Sequence, residues 1–349
     1  TKNTKDYIDR LCLLSDGASS EKYSLNKFFQ LVNQQFLHII YQPKNPNDIG
    51  LFKLWKEQLI NNNVEFLLNT SVLELNGNIN KVDSIKVYNK TYNKFLNISA
   101  ENYMLCIPPK PLLKLLLSNN IYSNSFGDIQ SFTEWVYKSS YTNYIPIAFH
   151  WDKKIDLKDV WGFPKTEWGI IFIVLSNYMN FNDPRSKLVI STCVSKPDSI
   201  SSYINKTANQ CDEFELKKEV FRQLKISFPE LLEPSYIIIN PNVTKINNKW
   251  IEPDTAFIQT YDNKPLSAFS NITKNLYQIG TQNGNSKYSF TTMESAVVNS
   301  IVFSNKIEPE TLKIIKKTDS IELNDIIRCF ILFFIIVILI KIVKIINKK

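Results

Sequence analysis

The sequence predicts a mixed chain, α/β in one part and α+β in another, ending in a single transmembrane helix. Three observations carry that reading. Apolar strands separated by polar turns fill residues 64–107 and 145–239, and helical patterns interrupt them. Leu276-Tyr277-Gln278-Ile279-Gly280, followed by a loop and a helix opening at Thr291, makes a late strand–glycine–helix unit. Residues 326–346 are apolar on nearly every face, and these 21 residues cover about 31 Å, enough for a hydrocarbon core of ~30 Å. With 44% hydrophobic and 21% charged residues the chain can build a core, which excludes a disordered protein.

Residues 5–40 read as two helices. Tyr7, Ile8, Leu11 and Leu14 form one apolar stripe, Phe28, Phe29, Leu31, Val32 and Phe36 the other, with a turn over 16–20. Prolines and asparagines over 41–48 make a loop. It leads to a helix over 51–60, which Asn61-Asn62-Asn63 breaks. Residues 64–68 and 71–75 read as strands, Asn76-Gly77 supplies hairpin turn residues, and 81–88 is the return strand. Residues 101–107 form a short apolar strand stopped by Pro108-Pro109, the pattern of a strand buried in mid-sheet. A helix starts over 112–117, and an irregular segment follows to about Tyr141.

Strands over 145–149, 170–175, 188–194 and 236–239 surround an amphipathic helix over 212–226 with Phe214, Val220, Phe221 and Leu224 inward. That is a sheet with a helix on one face. Residues 275–280 are the last strand before the helix that runs from Thr291 to about Phe303, where Thr291-x-x-Glu294 fits a capping box.

A net charge of +8 would suit nucleic acid, but its placement argues otherwise. From Thr311 onward eight basic residues stand against three acidic ones, so that tail holds +5 and the rest only +3. Without zinc-finger spacing or an arginine cluster, no nucleic-acid partner is expected. Five scattered cysteines with no C-x-x-C pair read as free thiols in a reducing compartment. His38 and His150 are too few for a metal site or a histidine-based triad, so no metal is expected, and His150 reads as a half-buried, satisfied side chain. Thr1 is not a methionine and no signal peptide follows, so the chain reads as cut from something longer or processed. A single span so near the terminus reads as a tail anchor at residues 326–346. The expected location is therefore a membrane, with the folded part in the cytosol.

The strand–glycine–helix unit is the richest in chemistry. A helix N-terminus presents free N–H groups and partial positive charge, which suits a phosphate or an electron-rich ring edge, and Ser295 and Ala296 leave room for a flat ligand. Alone, such a unit is more often a structural cap. Its order with the earlier elements adds weight: Leu59, Val64, Phe66, Val72 and Leu75, then Cys106-Ile107-Pro108-Pro109, and finally Gly280, Met293, Glu294, Ala296 and Ser300. In this order and spacing the chain resembles the flavin-containing amine oxidase and phytoene desaturase-like superfamily of FAD-dependent oxidoreductases, over most of residues 1–305.

That resemblance implies a partial FAD-binding Rossmann-like domain of the glutathione-reductase type plus a mixed-sheet substrate domain. The FAD part would comprise residues 46–115 and 261–310, and the substrate part residues 1–45 and 116–260, with a linker over 311–325. It implies Val72 at the adenine end, Cys106 and Pro108 beside the adenosine, Gly280 and Thr281 at the ribityl and pyrophosphate, and the amides of Thr292 and Met293 at the flavin C2 carbonyl. No catalytic side chain is implied, because the flavin carries the chemistry. Tyr288 and Phe290 are candidates for an aromatic wall of the substrate cavity; Tyr144, Trp151, Trp161 and Trp168 are further aromatics that could line it. Three departures stand against the pattern. No G-x-G-x-x-G opens the chain, Thr281 replaces an acidic residue, and Ile301 stands where a glycine is expected.

The expected function is a membrane-anchored FAD-dependent oxidoreductase moving a hydride from an amine or an apolar C–H substrate to flavin. Its partners would be that small molecule and the lipid bilayer, with room for a homo-oligomer. The alternative is a non-catalytic membrane-anchored interaction module that kept the fold and lost FAD. An upstream G-x-G-x-x-G in the full chain separates the two.

Overall fold

The structure is a computed structural model. It describes the chain except residues 17, 26–27, 30, 33–41, 142–143, 158–159, 252–256, 259–263, 286–291, 310–322 and 347–349. Two hydrophobic clusters organise it.

The larger cluster sits under a five-stranded antiparallel sheet. In chain order the labels are α1 (Lys2–Asp16), α2 (Lys53–Asn61), β1 (Thr70–Asn78), β2 (Lys81–Asn89), β3 (Lys94–Ile98), β4 (Tyr103–Leu105), α3 (Pro109–Ser118), α4 (Ile129–Lys138), β5 (Ile145–Trp151), β6 (Trp161–Gly162), β7 (Ile170–Val174), β8 (Leu188–Val194), α5 (Glu213–Leu224), β9 (Tyr236–Ile239), β10 (Leu276–Gln278), α6 (Met293–Ile307) and α7 (Leu323–Ile346). The sheet order is β9-β5-β8-β7-β6. Alternation turns Ile145, Ile147, Phe149 and Trp151 of β5 into the core, where α5 buries Leu216, Val220 and Leu224 completely. Asp212 caps α5 by accepting from the Glu215 amide, and Glu215 returns the bond to the Asp212 amide. Phe214, expected inward, is 73% exposed; it lies off the stripe that Leu216, Val220 and Leu224 define.

The smaller cluster joins β1, β2, β4, β10, α3 and α4 through Leu75, Val82, Leu105, Leu112, Val136 and Leu276. Asn275 ties these pieces together. Its side chain accepts from the Val82 amide at 2.9 Å and donates to the carbonyls of Val82 and Glu101 at 2.8 and 3.0 Å. The strands β4 and β10 pair in parallel and β1–β2–β3 antiparallel.

Several sequence expectations fail here for definable reasons. Residues 64–68 form no strand, although Val64, Phe66, Leu67 and Leu68 are apolar; no described segment pairs with them and all four are exposed. The expected turn at Asn76-Gly77 belongs to β1. Gly77 is a bulge there at φ +146°, and a Cβ would meet the Lys81 carbonyl at 2.4 Å, so the hairpin turns two residues later. The strand β3 had no sequence signal. The mid-sheet strand over 101–107 shrinks to three residues, and Met104 at its centre is 50% exposed. The segment before Tyr141 contains α4, capped by Asp128, where an irregular stretch was expected. The tail is one helix, α7, none of whose membrane-length window is buried.

Candidate functional site

Because β4 and β10 run parallel, their C-terminal ends emerge side by side, the position at which open α/β sheets bind ligands. The Ile279 amide donates to the Leu105 carbonyl at 3.2 Å, and Gln282 Nε2 reaches the Ile107 carbonyl at 3.4 Å. Cys106 and Pro108 on one strand end therefore neighbour Gly280 and Thr281 on the other. Pro108 is the N-cap of α3, whose Pro109 takes the first helical position, where a missing N–H costs nothing.

Beside this end lies a groove of about 960 Å³ between β1 and α3, lined among others by Val72, Ile107, Lys110 and Lys114. Lys110 and Lys114 stand one helical turn apart and bring two cations to it; the Lys110 ammonium also lies 3.7 Å from the Tyr141 ring centroid. Cys106 is exposed as a residue, while local shielding of its sulfur pushes the thiol above its usual pKa.

The N-terminus of α6 opens on a second cleft. Thr292 is the cap, its hydroxyl accepting from the Ser295 amide at 3.1 Å. The expected capping pair Thr291–Glu294 cannot be followed in the same way, since Thr291 lies outside the described residues. Among the described residues, no acceptor meets the amides of Met293 and Glu294. Met293 lines a cleft of about 710 Å³ with Lys44, Gly50, Tyr178 and Met179. Ser295 is 1% exposed and turns into the protein, so it leaves no shelf for a flat ligand.

A third cavity, of about 400 Å³, adjoins the second through Gln42 and Tyr178, which line both. Its other described walls are Leu14 and Ser15 of α1, Val160 and Trp161 at the β6 edge, and Ile173 of β7. Burial pushes the Tyr178 hydroxyl up, which keeps it neutral. Arg10 donates to the Phe163 carbonyl at 2.7 Å and Tyr144 donates to the Leu13 carbonyl, so α1 is tied to the chain next to β6 and next to β5.

Gly280 behaves otherwise than expected of a phosphate-facing glycine. Its backbone is extended, its amide donates to Asn283 Oδ1 at 2.9 Å, and a Cβ would lie 2.3 Å from Gln282 Oε1. The space its missing side chain leaves is filled by Gln282, itself 1% exposed and bonded to Gln278 at 2.8 Å. The predicted residues thus gather at two places. Val72, Cys106, Pro108, Gly280 and Thr281 lie around the β4/β10 strand ends and the adjoining groove, while Thr292 and Met293 lie at the α6 cleft. Tyr288 and Phe290 lie outside the described residues.

Among the predicted aromatics Trp161 does line a cavity, whereas Trp151 and Trp168 are core residues. No sequence expectation covered Lys110 and Lys114, although their i, i+4 spacing after Pro108-Pro109 was visible. Lys44, Ile173 and Tyr178 carry no site pattern and come together only in three dimensions. His150 stands apart from all three cavities. It is buried against Ser186 and stacked on Tyr236 with ring centroids 4.2 Å apart. Among the described residues no cluster of His, Cys, Asp or Glu could hold a metal ion.

No protein-family model matches the chain, and no curated protein matches it either. Among solved structures it is similar to an oxidoreductase from Methanosarcina mazei, with a TM-score of 0.55 and 11% identity over 86% of this chain and 64% of that one. A flavin-dependent brominase, the Bmp2 triple mutant, matches over 72% of this chain and 54% of its own at 11% identity, with a TM-score of 0.35, too low to carry an argument. The chain therefore spans just under two thirds of the length of the Methanosarcina oxidoreductase, and over that length it shares its mixed α/β fold.

Proposed function

We propose that this chain acts as a membrane-anchored FAD-dependent oxidoreductase that moves a hydride from an amine or an apolar C–H substrate to flavin. One observation carries the reading: Met293, which opens α6, lines a cleft that shares Gln42 and Tyr178 with an adjoining cavity walled by aromatic and aliphatic side chains. The residues present fit a flavin dinucleotide at two of three places. The α6 cleft offers N–H donors and the positive end of a helix, and the groove by Val72 offers an apolar floor with Lys110 and Lys114 for phosphate charge. At Gly280 they do not fit, because Gln282 closes the approach and Asn283 occupies the amide.

A bound flavin would supply the two-electron chemistry. The protein's share is to seat and shield it. The Met293 and Glu294 amides would stabilise negative charge at a ring edge in the cleft, and Lys44 adds a cation there. Trp161, Tyr178 and Ile173 would exclude water from the reacting bond.

The closed approach at Gly280 favours the second reading, a non-catalytic membrane-anchored module. Cys106 tells the two apart without any assay of turnover. In the full-length protein, added FAD is expected to slow alkylation of Cys106 several-fold, as peptide mass mapping follows it. Flavin absorbance should co-migrate with the chain near one to one. Unchanged Cys106 labelling in a colourless protein would establish the module instead.

A further inference from the structure

We infer that the groove between β1 and α3 is a diphosphate site, in which the side chains of Lys110 and Lys114 hold the phosphates of a nucleoside diphosphate. Only the identity of that nucleotide, as half of a flavin dinucleotide, rests on the oxidoreductase reading. Backbone amides are the usual cradle for a phosphate, and at this end of β4 and β10 they are spent. The Gly280 amide is bonded to Asn283, and Gln282 fills the space beside it. Of the four N–H groups that a helix start leaves unpaired, α3 keeps that of Lys110 alone, because Pro108, Pro109 and Pro111 have none. Phosphate charge must therefore be met by side chains.

The groove supplies them. Lys110 and Lys114 both line it from α3, starting about 6 Å apart along the helix axis. Tyr141 holds the first of them, its ring centroid 3.7 Å from the Lys110 ammonium. Burial pushes the Tyr141 hydroxyl up, so that ring stays uncharged beside its cation. The opposite wall is β1, the edge strand of its sheet. The Leu75 amide donates to Asn119 Oδ1 at 2.9 Å, which shows that the edge of β1 away from β2 faces the end of α3. Val72, Ile107 and Leu115 supply apolar surface for the nucleoside, and about 960 Å³ is room enough for one. Two ammoniums at an open groove make affinity follow ligand charge and fall with salt, because exposed ion pairs are screened.

The test titrates adenosine, AMP and ADP into the full-length protein in nanodiscs of zwitterionic lipid at pH 7, read by calorimetry. Absorbance reads flavin in the same sample. On flavin-free protein each added phosphate is expected to tighten binding about tenfold at low salt. At about 1 M salt, where charge is screened within ~3 Å, ADP should lose most of that gain. Lys110→Ala and Lys114→Ala should each weaken ADP about tenfold. The double variant should bind ADP no better than adenosine, with adenosine itself unmoved. Lys218→Ala, on α5 and outside the groove, is the control and should change nothing. Protein purified with flavin is read by dissociation instead, and there the double variant should release FAD about tenfold faster than its parent. ADP that binds no tighter than adenosine overturns the inference, as does a double variant that keeps the ADP preference or the parent's grip on flavin. The two readings fail separately. ADP held by the lysines with no affinity for FAD sinks the oxidoreductase and keeps the groove assignment, and FAD held equally well by the double variant does the reverse.

Discussion

At His150 the ring lies between a hydroxyl and a stacked phenol. Nδ1 is 2.9 Å from Ser186 Oγ, which is 2.7 Å from the Tyr236 hydroxyl, and Tyr236 in turn faces Asp183 at 3.4 Å. Burial pulls the His150 pKa down, Asp183 opposes this, and Arg185 reinforces it. A base whose folded pKa lies below its unfolded value of about 6.5 contributes stability that is complete above that value and erodes as pH falls toward the folded pKa. Unfolding free energy is therefore expected to drop between pH 7 and pH 5 by up to about 1.4 kcal/mol per pH unit, read as a falling melting temperature, and His150→Gln should flatten that part of the profile. A Gln variant with the same slope would place the titration elsewhere. Glu219 is the complementary case, a carboxylate 2% exposed. Burial would raise its pKa, but hydrogen bonds from Arg222, Ser201 and Gln223 hold it below its usual value. Glu219→Ala strands those donors and should cost about 2–3 kcal/mol in urea unfolding, whereas Glu219→Gln keeps part of the network and should cost clearly less. His150 was readable in the sequence as a satisfied side chain. Glu219 was not, because nothing in the pattern of an amphipathic helix marks which glutamate will be buried beneath an arginine.

Within single elements the same contrast can be measured on α5. Leu216 is fully buried and Phe214, two residues earlier, is 73% exposed. Leu216→Ala is expected to cost about 2–5 kcal/mol and Phe214→Ala no more than about 0.5 kcal/mol, both read as shifts in urea midpoint. A large loss from Phe214→Ala would mean that its face is covered in the working protein. The sheet and α5 were legible because alternation and 3.6-residue periodicity both survive in β5, β8 and Leu216–Val220–Leu224. The failures share a different cause. Gly77 looks like a turn residue yet serves a bulge, since the same freedom in φ meets both needs and sequence does not distinguish them. Residues 64–68 carry strand composition but no described partner, and a strand exists only as a member of a pair. Met104 reads as mid-sheet, yet β4 has one described neighbour.

Across the whole molecule, the candidate clefts were legible only where they are built on or beside regular elements. Val72 lies in a strand, Met293 opens a helix, Cys106 follows a strand and Pro108 caps a helix, all positions that pattern can find, and Val72 and Met293 line clefts. The walls at Lys44, Tyr178 and Ile173 come from separated segments whose meeting depends on tertiary packing, so no local signal announced them. The tail is the opposite extreme, wholly local in its logic. Ile331, Phe333, Phe334 and Leu339 are each at least half exposed, an apolar surface that water would not tolerate along a 24-residue helix. The proposed anchoring in a bilayer would remove that surface from water, and it makes a quantitative demand on mid-helix charge. Each lysine at the centre of a span costs about 2.5–3.5 kcal/mol, so Ile335→Lys with Ile336→Lys should abolish insertion while leaving the folded part intact. In alkaline carbonate extraction the unaltered chain is expected in the membrane pellet and the double variant in the supernatant, with unchanged near-ultraviolet circular dichroism. If the double variant stays in the pellet as tightly as its parent, residues 326–346 are not what holds this protein to the membrane.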